Sequence, residues 1–168
     1  MVLINDSYKL IFVENPKSGS TSIRQALLDI FKWSRIRSRP TVSHLTCQQI
    51  RDMYPEKWAT YLKVTTCREP FARFCSSVNY KNHWQFNVYS TPEQYVNHRR
   101  NFKMCVYCMP QEVFTEGCDV ILHVETLQAD FDALCERIGV SSIQLEKKNE
   151  ARDEPLFSKD VLETLFKA

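Results

Sequence analysis

An α/β fold built on a central parallel sheet follows from three features of this 168-residue chain. Short apolar runs of strand length occur at Lys9 to Glu14, Tyr61 to Cys67 and Asp119 to Glu125. Each gives way within a few residues to a stretch whose apolar positions recur at helical spacing. Strands alternating with helices require crossover connections, which set the strands parallel and lay the helices on the faces. The composition, 43% hydrophobic and 25% charged, suits one soluble globular domain spanning residues 1–168. A chain of this length buries roughly two thirds of its unfolded surface, so its core needs neither metal nor disulfides.

Taken in order, Lys9 to Glu14 (KLIFVE) is a buried strand stopped at Asn15-Pro16. Thr21 to Trp33 is a helix with Ile23, Ala26, Leu27, Ile30 and Phe31 on one stripe. Residues 34–43 are polar and basic and form a surface connection, and Leu45 to Met53 is a weaker helix. Tyr61 to Cys67 is the second strand, followed by Arg68-Glu69-Pro70 and an aromatic helix from Phe71 to about Tyr80. At Thr91-Pro92-Glu93-Gln94 a capping residue, a proline and a glutamine stand in the order that starts a helix, here running to about Phe102. Asp119 to Glu125 is the third strand, and Thr126 opens an amphipathic helix that Gly139 stops. Ser158 caps a last helix. No repeat, low-complexity tract or linker interrupts this pattern.

Several function classes drop out on composition. No apolar run is long enough to span a membrane, and Asn5, Asp6 and Lys9 interrupt any signal-peptide core. Seven cysteines, an odd number and several in apolar runs, fit a reducing compartment, so the expectation is a cytoplasmic protein. Cys105 and Cys108 form a CxxC near Cys118 and His98, but a single CxxC lacks the second pair of a strong zinc site, and no metal is expected. The net charge of +2 conceals an asymmetry: residues 17–103 carry 15 Lys plus Arg against 5 Asp plus Glu, and residues 104–168 carry 6 against 13. The basic half attracts anions. Arg35, Arg37, Arg39, Arg99 and Arg100 sit in no nucleic-acid recognition motif, so no nucleic-acid partner is expected.

The chemistry concentrates in two stretches. In FVENPKSGSTSI, Phe12 to Ile23, a strand enters a tight loop of Lys17, Ser18, Gly19, Ser20, Thr21 and Ser22 that becomes the first turn of a helix. Amide groups at such a helix start, the dipole behind them, the hydroxyls and Lys17 together make a cradle for a phosphate-type anion. A serine-rich loop with an ordinary helix cap is the plain alternative. The nucleotide-triphosphatase loop is excluded, because it needs a glycine just before the lysine. In VTTCREPFARFCSSVNY, Val64 to Tyr80, Arg68 ends a strand and Ser76 lies two turns into the next helix. An arginine fork and a serine hydroxyl suit one phosphate between them, although Arg68 as a surface ion pair and Ser76 as a small helix residue would read the same.

Together these stretches resemble the sulfotransferases that use 3′-phosphoadenosine-5′-phosphosulfate (PAPS), in particular the carbohydrate sulfotransferase branch. There the first loop reads close to Pro-Lys-Thr-Gly-Gly-Thr-Ser, which Pro16 to Ser22 match in type and order. The second motif, Arg-(Asp, Asn or Glu)-Pro, then arginine and then serine at intervals of three, is matched by Arg68, Glu69, Pro70, Arg73 and Ser76. His44-Leu45-Thr46, Pro110-Gln111 and the run from Val120 to Gly139 extend the resemblance over nearly the whole chain. It implies a single-domain, three-layer fold with a strand-loop-helix phosphosulfate loop, similar to that of the P-loop nucleotidases. It also implies in-line, metal-independent transfer of a sulfuryl group from PAPS to an acceptor hydroxyl, with 3′,5′-adenosine bisphosphate as product. Lys17 and Ser18 to Ser22 would hold the 5′-phosphosulfate, and Arg68 and Ser76 the 3′-phosphate.

For the base that takes the acceptor proton, His44 comes first, because imidazole titrates near neutrality and the family places its histidine between the two donor motifs. Glu14, where family members often carry histidine or arginine, is second, and serves either as base or as partner to Lys17 or an arginine. His83 is third, with acceptor contact its better role. Ser18 and Ser20 stand where threonine and glycine are commoner. The acceptor, a small molecule or glycan, would meet residues 34–43 and 80–103, and the aromatic cluster Tyr80, Trp84, Phe86 and Tyr89 either stacks on it or covers the core. A small kinase and a non-catalytic nucleotide-binding protein of the same fold are the competing readings, and oligomeric state is open.

Overall fold

The computed structural model describes residues 2–31, 44–78, 94, 106–107, 109–146 and 158–167. The helix expected from Thr91 to Phe102, the connection 34–43, His83, His98, Cys105, Cys108 and the aromatic cluster lie outside these residues. The chain groups into two compact units, Met1–Arg68 with Pro110–Lys148 and Glu69–Met109 with Asn149–Ala168.

The first unit holds a four-stranded sheet in the order β1-β2-β3-β4, made of Val2–Asn5, Leu10–Val13, Leu62–Cys67 and Val120–His123. Strands β2, β3 and β4 are parallel, with Phe12 opposite Val64 and Val64 opposite Val120. β1 adds an antiparallel edge that the sequence reading does not anticipate. Its signal is hidden because Asp6, Ser7, Tyr8 and Lys9 read as polar interruption, whereas they form a hairpin loop. The Asn5 carboxamide accepts from the amides of Ser7 at 2.9 Å and Tyr8 at 3.1 Å, and Lys9 takes φ +47°.

Helix α1, Ser20–Phe31, follows β2 and turns Ile23, Ala26 and Leu27 onto Leu10, Phe12, Val64 and Leu122. The helix after β4, Leu127–Arg137, covers the same face with Phe131, Leu134 and Cys135. Gly139 ends it at φ +72°, where its amide and that of Val140 reach back to Glu136 and Cys135. On the other face Ile11 and Val13 are also fully buried. That side carries α2 (Cys47–Met53), α3 (Pro55–Thr60) and a one-turn helix (Glu112–Thr115), which bury Ile50, Trp58 and Phe114. Lys63 Nζ of β3 lies 6.0 Å from the Trp58 ring of α3. Helices therefore cover both sides of the sheet, as the strand-helix alternation requires. The sequence reading misses α3 and the Glu112–Thr115 turn, which are too short to show a helical stripe.

In the second unit α4, Pro70–Val78, begins under a cap made by Glu69, whose carboxylate accepts from the amides of Phe71 at 2.9 Å and Ala72 at 2.7 Å. Phe71 and Phe74 pack against Phe166 of the last helix, Lys159–Lys167, with ring centroids 5.4 and 5.5 Å apart. The amide of Val161 reaches Ser158 Oγ at 3.4 Å, the cap expected there. Among the described residues no helix is long and apolar enough to cross a membrane.

Candidate functional site

Because β2 and β3 are parallel neighbours, their carboxyl ends stand side by side, with Val13 opposite Thr65. The loops leaving those ends carry the two sequence motifs. This edge is where open parallel sheets bind ligands.

The first loop is held by its own buried polar groups. Asn15, fully buried, donates through Nδ2 to the Thr66 carbonyl at 2.8 Å and to Gln111 Oε1 at 3.2 Å. Ser18, also fully buried, donates from Oγ to the Asn15 carbonyl at 2.7 Å and lies 2.6 Å from Thr66 Oγ1. Its hydroxyl is thereby committed to the loop, and its amide is what remains for a ligand. Ser20 and Ser22 are buried as well, while Lys17, Gly19 and Thr21 are only partly covered. Lys17 and Gly19 adopt φ +64° and +73°, the left-handed pair that bends the chain into α1. Gly19 is needed twice over: a Cβ there would lie 3.1 Å from Leu127 Cδ2 and 3.3 Å from Val124 Cγ2. Its carbonyl accepts the first helical bonds, from Ser22 at 3.1 Å and Ile23 at 3.5 Å, so α1 presents its positive end at this loop.

Arg68 follows the last residue of β3 and is gripped through its main chain. Gln111 Oε1 accepts from the Arg68 amide at 3.0 Å, and Gln111 Nε2 donates to the Arg68 carbonyl at 2.8 Å. Burial first, and the Arg68 charge second, lower the Lys17 pKa from the ordinary lysine value of 10.5 to about 8. Burial and a second cation both disfavour the charged lysine, the combination of causes that functional sites often show.

His44 sits beside the same loop. Its Nδ1 lies 3.0 Å from the Glu14 carbonyl oxygen, which can only accept, so Nδ1 carries the proton and Nε2 the lone pair. Burial, reinforced by the charges of Arg24 and Lys17, lowers its pKa below the usual 6.5, so the imidazole is neutral at pH 7. His44 adopts φ +63°, an uncommon conformation for a non-glycine residue, two residues before Thr46, which opens the Thr46–Gln49 capping box that starts α2. The Glu14 carboxylate is buried, which raises its pKa, and pairs with Arg24 Nε at 3.7 Å. Of the roles open to Glu14, the geometry supplies the pairing with an arginine.

The first unit thus brings together Glu14, Lys17, the Ser18 to Ser22 loop, His44 and Arg68. Ser76 lies partly exposed in α4 of the second unit. Arg73 of the same motif is a scaffold residue, donating from a guanidinium NH2 group to the Met109 carbonyl at 2.9 Å. Sequence reasoning overlooks Arg24, whose signal is its position one helical turn beyond Thr21, and the linking roles of Asn15, Thr66 and Gln111, which only the strand pairing reveals. Cys118, considered for zinc, faces Cys47 with their sulfurs 3.7 Å apart, and no group of His, Cys, Asp or Glu among the described residues could hold a metal ion.

The model of the sulfotransferase family matches residues 1–116, a span that includes Glu14, Lys17, the Ser18 to Ser22 loop, His44, Arg68 and Ser76. No curated protein and no solved structure matches the chain.

Gly19→Ala and Gly139→Ala form a matched pair, because both glycines share nearly the same φ but only Gly19 has neighbours within 4 Å of an added Cβ. Each should lower the free energy of unfolding by about 1–2 kcal/mol from the left-handed backbone. Urea denaturation should show an additional loss at Gly19 alone, where Leu127 and Val124 must yield.

Proposed function

The chain belongs to the sulfotransferase family, and from that premise we propose that it transfers a sulfuryl group from PAPS to a hydroxyl of a carbohydrate acceptor. The observation that carries this reading is the convergence of Lys17, the start of α1 and Arg68 at one edge of the parallel sheet, with Lys17 depressed to about 8 by burial and by Arg68.

Each residue then has a task set by its chemistry. Lys17 and the amides of Ser18 to Ser22 bind the 5′-phosphosulfate, and Lys17 neutralises the charge that grows on the phosphate oxygen as the sulfuryl group departs in line. Thr21 is the hydroxyl of the loop that is both partly open and at the helix start. Arg68 takes the 3′-phosphate, the group that distinguishes PAPS from adenylyl sulfate, and for Ser76 the same task is what the family likeness implies. His44 accepts the acceptor proton at Nε2, since the Glu14 carbonyl holds the opposite tautomeric proton in place. Glu14 and Arg24 fix that strand end and keep the site's positive field from being excessive. The product is 3′,5′-adenosine bisphosphate, and the transfer proposed is metal-independent.

Arg68→Ala should weaken 3′,5′-adenosine bisphosphate at least tenfold in a calorimetric titration while leaving 5′-AMP within about threefold. Equal losses for the two nucleotides would remove Arg68 from the 3′-phosphate. Failure of the unaltered chain to bind the bisphosphate, or a preference for ATP with magnesium, would overturn the donor assignment and favour a kinase.

The Lys17 shift gives a second test with a definite sign. The empty fold disfavours the charged lysine, so its stability rises with pH between about 8 and 10.5, whereas a bound anion restores the charge. Bisphosphate affinity should therefore fall above pH 8, and binding at pH 8 should take up about half a proton. Titrations in buffers of different ionisation enthalpy measure that uptake, which should vanish in Lys17→Ala.

His44→Asn suits the left-handed backbone and removes the base, and should reduce sulfuryl transfer by about 10²–10⁴-fold with bisphosphate affinity retained. Glu14→Gln keeps the main-chain acceptor and should preserve most of the rate. The reverse outcome would make Glu14 the base.

A further inference from the structure

We propose that Gln111 is a positioning residue of the donor site: its carboxamide sets the Arg68 main chain and the Lys17 loop in fixed register, and so decides how strongly the 3′-phosphate is recognised. The inference rests on the PAPS reading above and deepens it.

β3 is paired with β4 as far as Cys67 opposite His123, and with β2 as far as Thr65 opposite Val13. Arg68 is the next residue and has left the ladder. There Gln111 supplies what a neighbouring strand would, one acceptor for the Arg68 amide at 3.0 Å and one donor for its carbonyl at 2.8 Å. The same Oε1 accepts from Asn15 Nδ2 at 3.2 Å, and Cys67 Sγ lies 3.5 Å from it. Asn15 in turn holds the Thr66 carbonyl at 2.8 Å and directly precedes Pro16 and Lys17. One side-chain amide therefore touches the peptide that carries Arg68 and the residue that launches the phosphosulfate loop.

Gln111 is itself well anchored. It opens the one-turn helix Glu112–Thr115, its carbonyl accepts from the Phe114 amide at 2.8 Å, and Phe114 is fully buried. A planar amide, with a donor and an acceptor in fixed relation, pairs both main-chain groups of one residue at once, as a neighbouring strand would, and asparagine is a methylene shorter. Loss of that pairing lets the arginine's backbone rotate while Lys17 and the loop remain held by Ser18 and Thr66. The consequence is selective, falling on the 3′-phosphate rather than on the nucleotide as a whole.

The test compares affinities of the full chain for 3′,5′-adenosine bisphosphate and 5′-AMP, by calorimetry, in the unaltered protein, Gln111→Met and Gln111→Ser. Methionine keeps the length without the hydrogen bonds, and serine leaves room for water to satisfy the released peptide groups. Either folded variant should lose tenfold or more for the bisphosphate and less than threefold for 5′-AMP. A merely structural glutamine would lower the melting temperature and leave the ratio of the two affinities unchanged, which would sink the proposal. Loss of a cooperative melt in both variants would overturn it as well, by assigning Gln111 to folding. If the unaltered protein binds no bisphosphate, the donor reading fails instead, a result distinguishable from a normal wild-type affinity that Gln111 substitutions leave untouched.

Discussion

The carboxamide of Asn15, buried completely and shared between the Thr66 carbonyl and Gln111, is the link on which the rest of the site depends. Two parallel strands end together only as far as their ladder reaches, and beyond it each chain must find partners for its peptide groups. Here the partners are side chains. Asn15 and Ser18 close the β2 side, Thr66 accepting from Asn15 at its carbonyl and donating to Ser18 Oγ from its hydroxyl, and Gln111 closes the β3 side. Each bond is worth little by itself in net terms, but an orphaned group at this depth would cost more than any of them contributes. That asymmetry explains why small polar side chains occupy positions that elsewhere in the sheet belong to valine and isoleucine.

Rigid placement matters because the site works by electrostatics. Lys17, Arg24 and Arg68 gather around one edge, and Glu14 is the carboxylate paired among them, at a separation of 3.7 Å from Arg24. Burial and the Arg68 charge loosen the proton of Lys17. On the proposed donor reading a bound anion would relieve that cost, and fold stability and ligand affinity would draw on the same charges in opposite senses, the sheet and its two covering layers of helix supplying the stability that holds them apart.

The parallel core, the loop and both motifs were legible in the sequence because each rests on a local pattern. Leu10 to Val13 is an uninterrupted apolar run, Gly19 stands at a strand-to-helix bend, and Gly139 follows the last apolar position of its helix. What was not legible depends on pairing across the chain. β1 is disguised by its polar hairpin, and α3 and the turn at Glu112 are each shorter than two helical turns, too short for a stripe to repeat. Ser18 looks like a ligand hydroxyl until the neighbouring strand brings Thr66 within 2.6 Å, and Gln111, in sequence only a point of family likeness beside Pro110, shows its contacts where Arg68 leaves the sheet. Residues of the second unit, Ser76 among them, are described on their own helix, so the motif's serine stands as a role implied by likeness.

The imidazole of His44 is oriented by a peptide carbonyl and not by the carboxylate of the same residue. A carbonyl is present whatever side chain position 14 carries, so the tautomer of the histidine is insulated from mutation there. With His44 in its proposed role as base, the side chain at position 14 could change without removing the contact that holds Nδ1, so the proton acceptor would keep its geometry while the charge beside it varied.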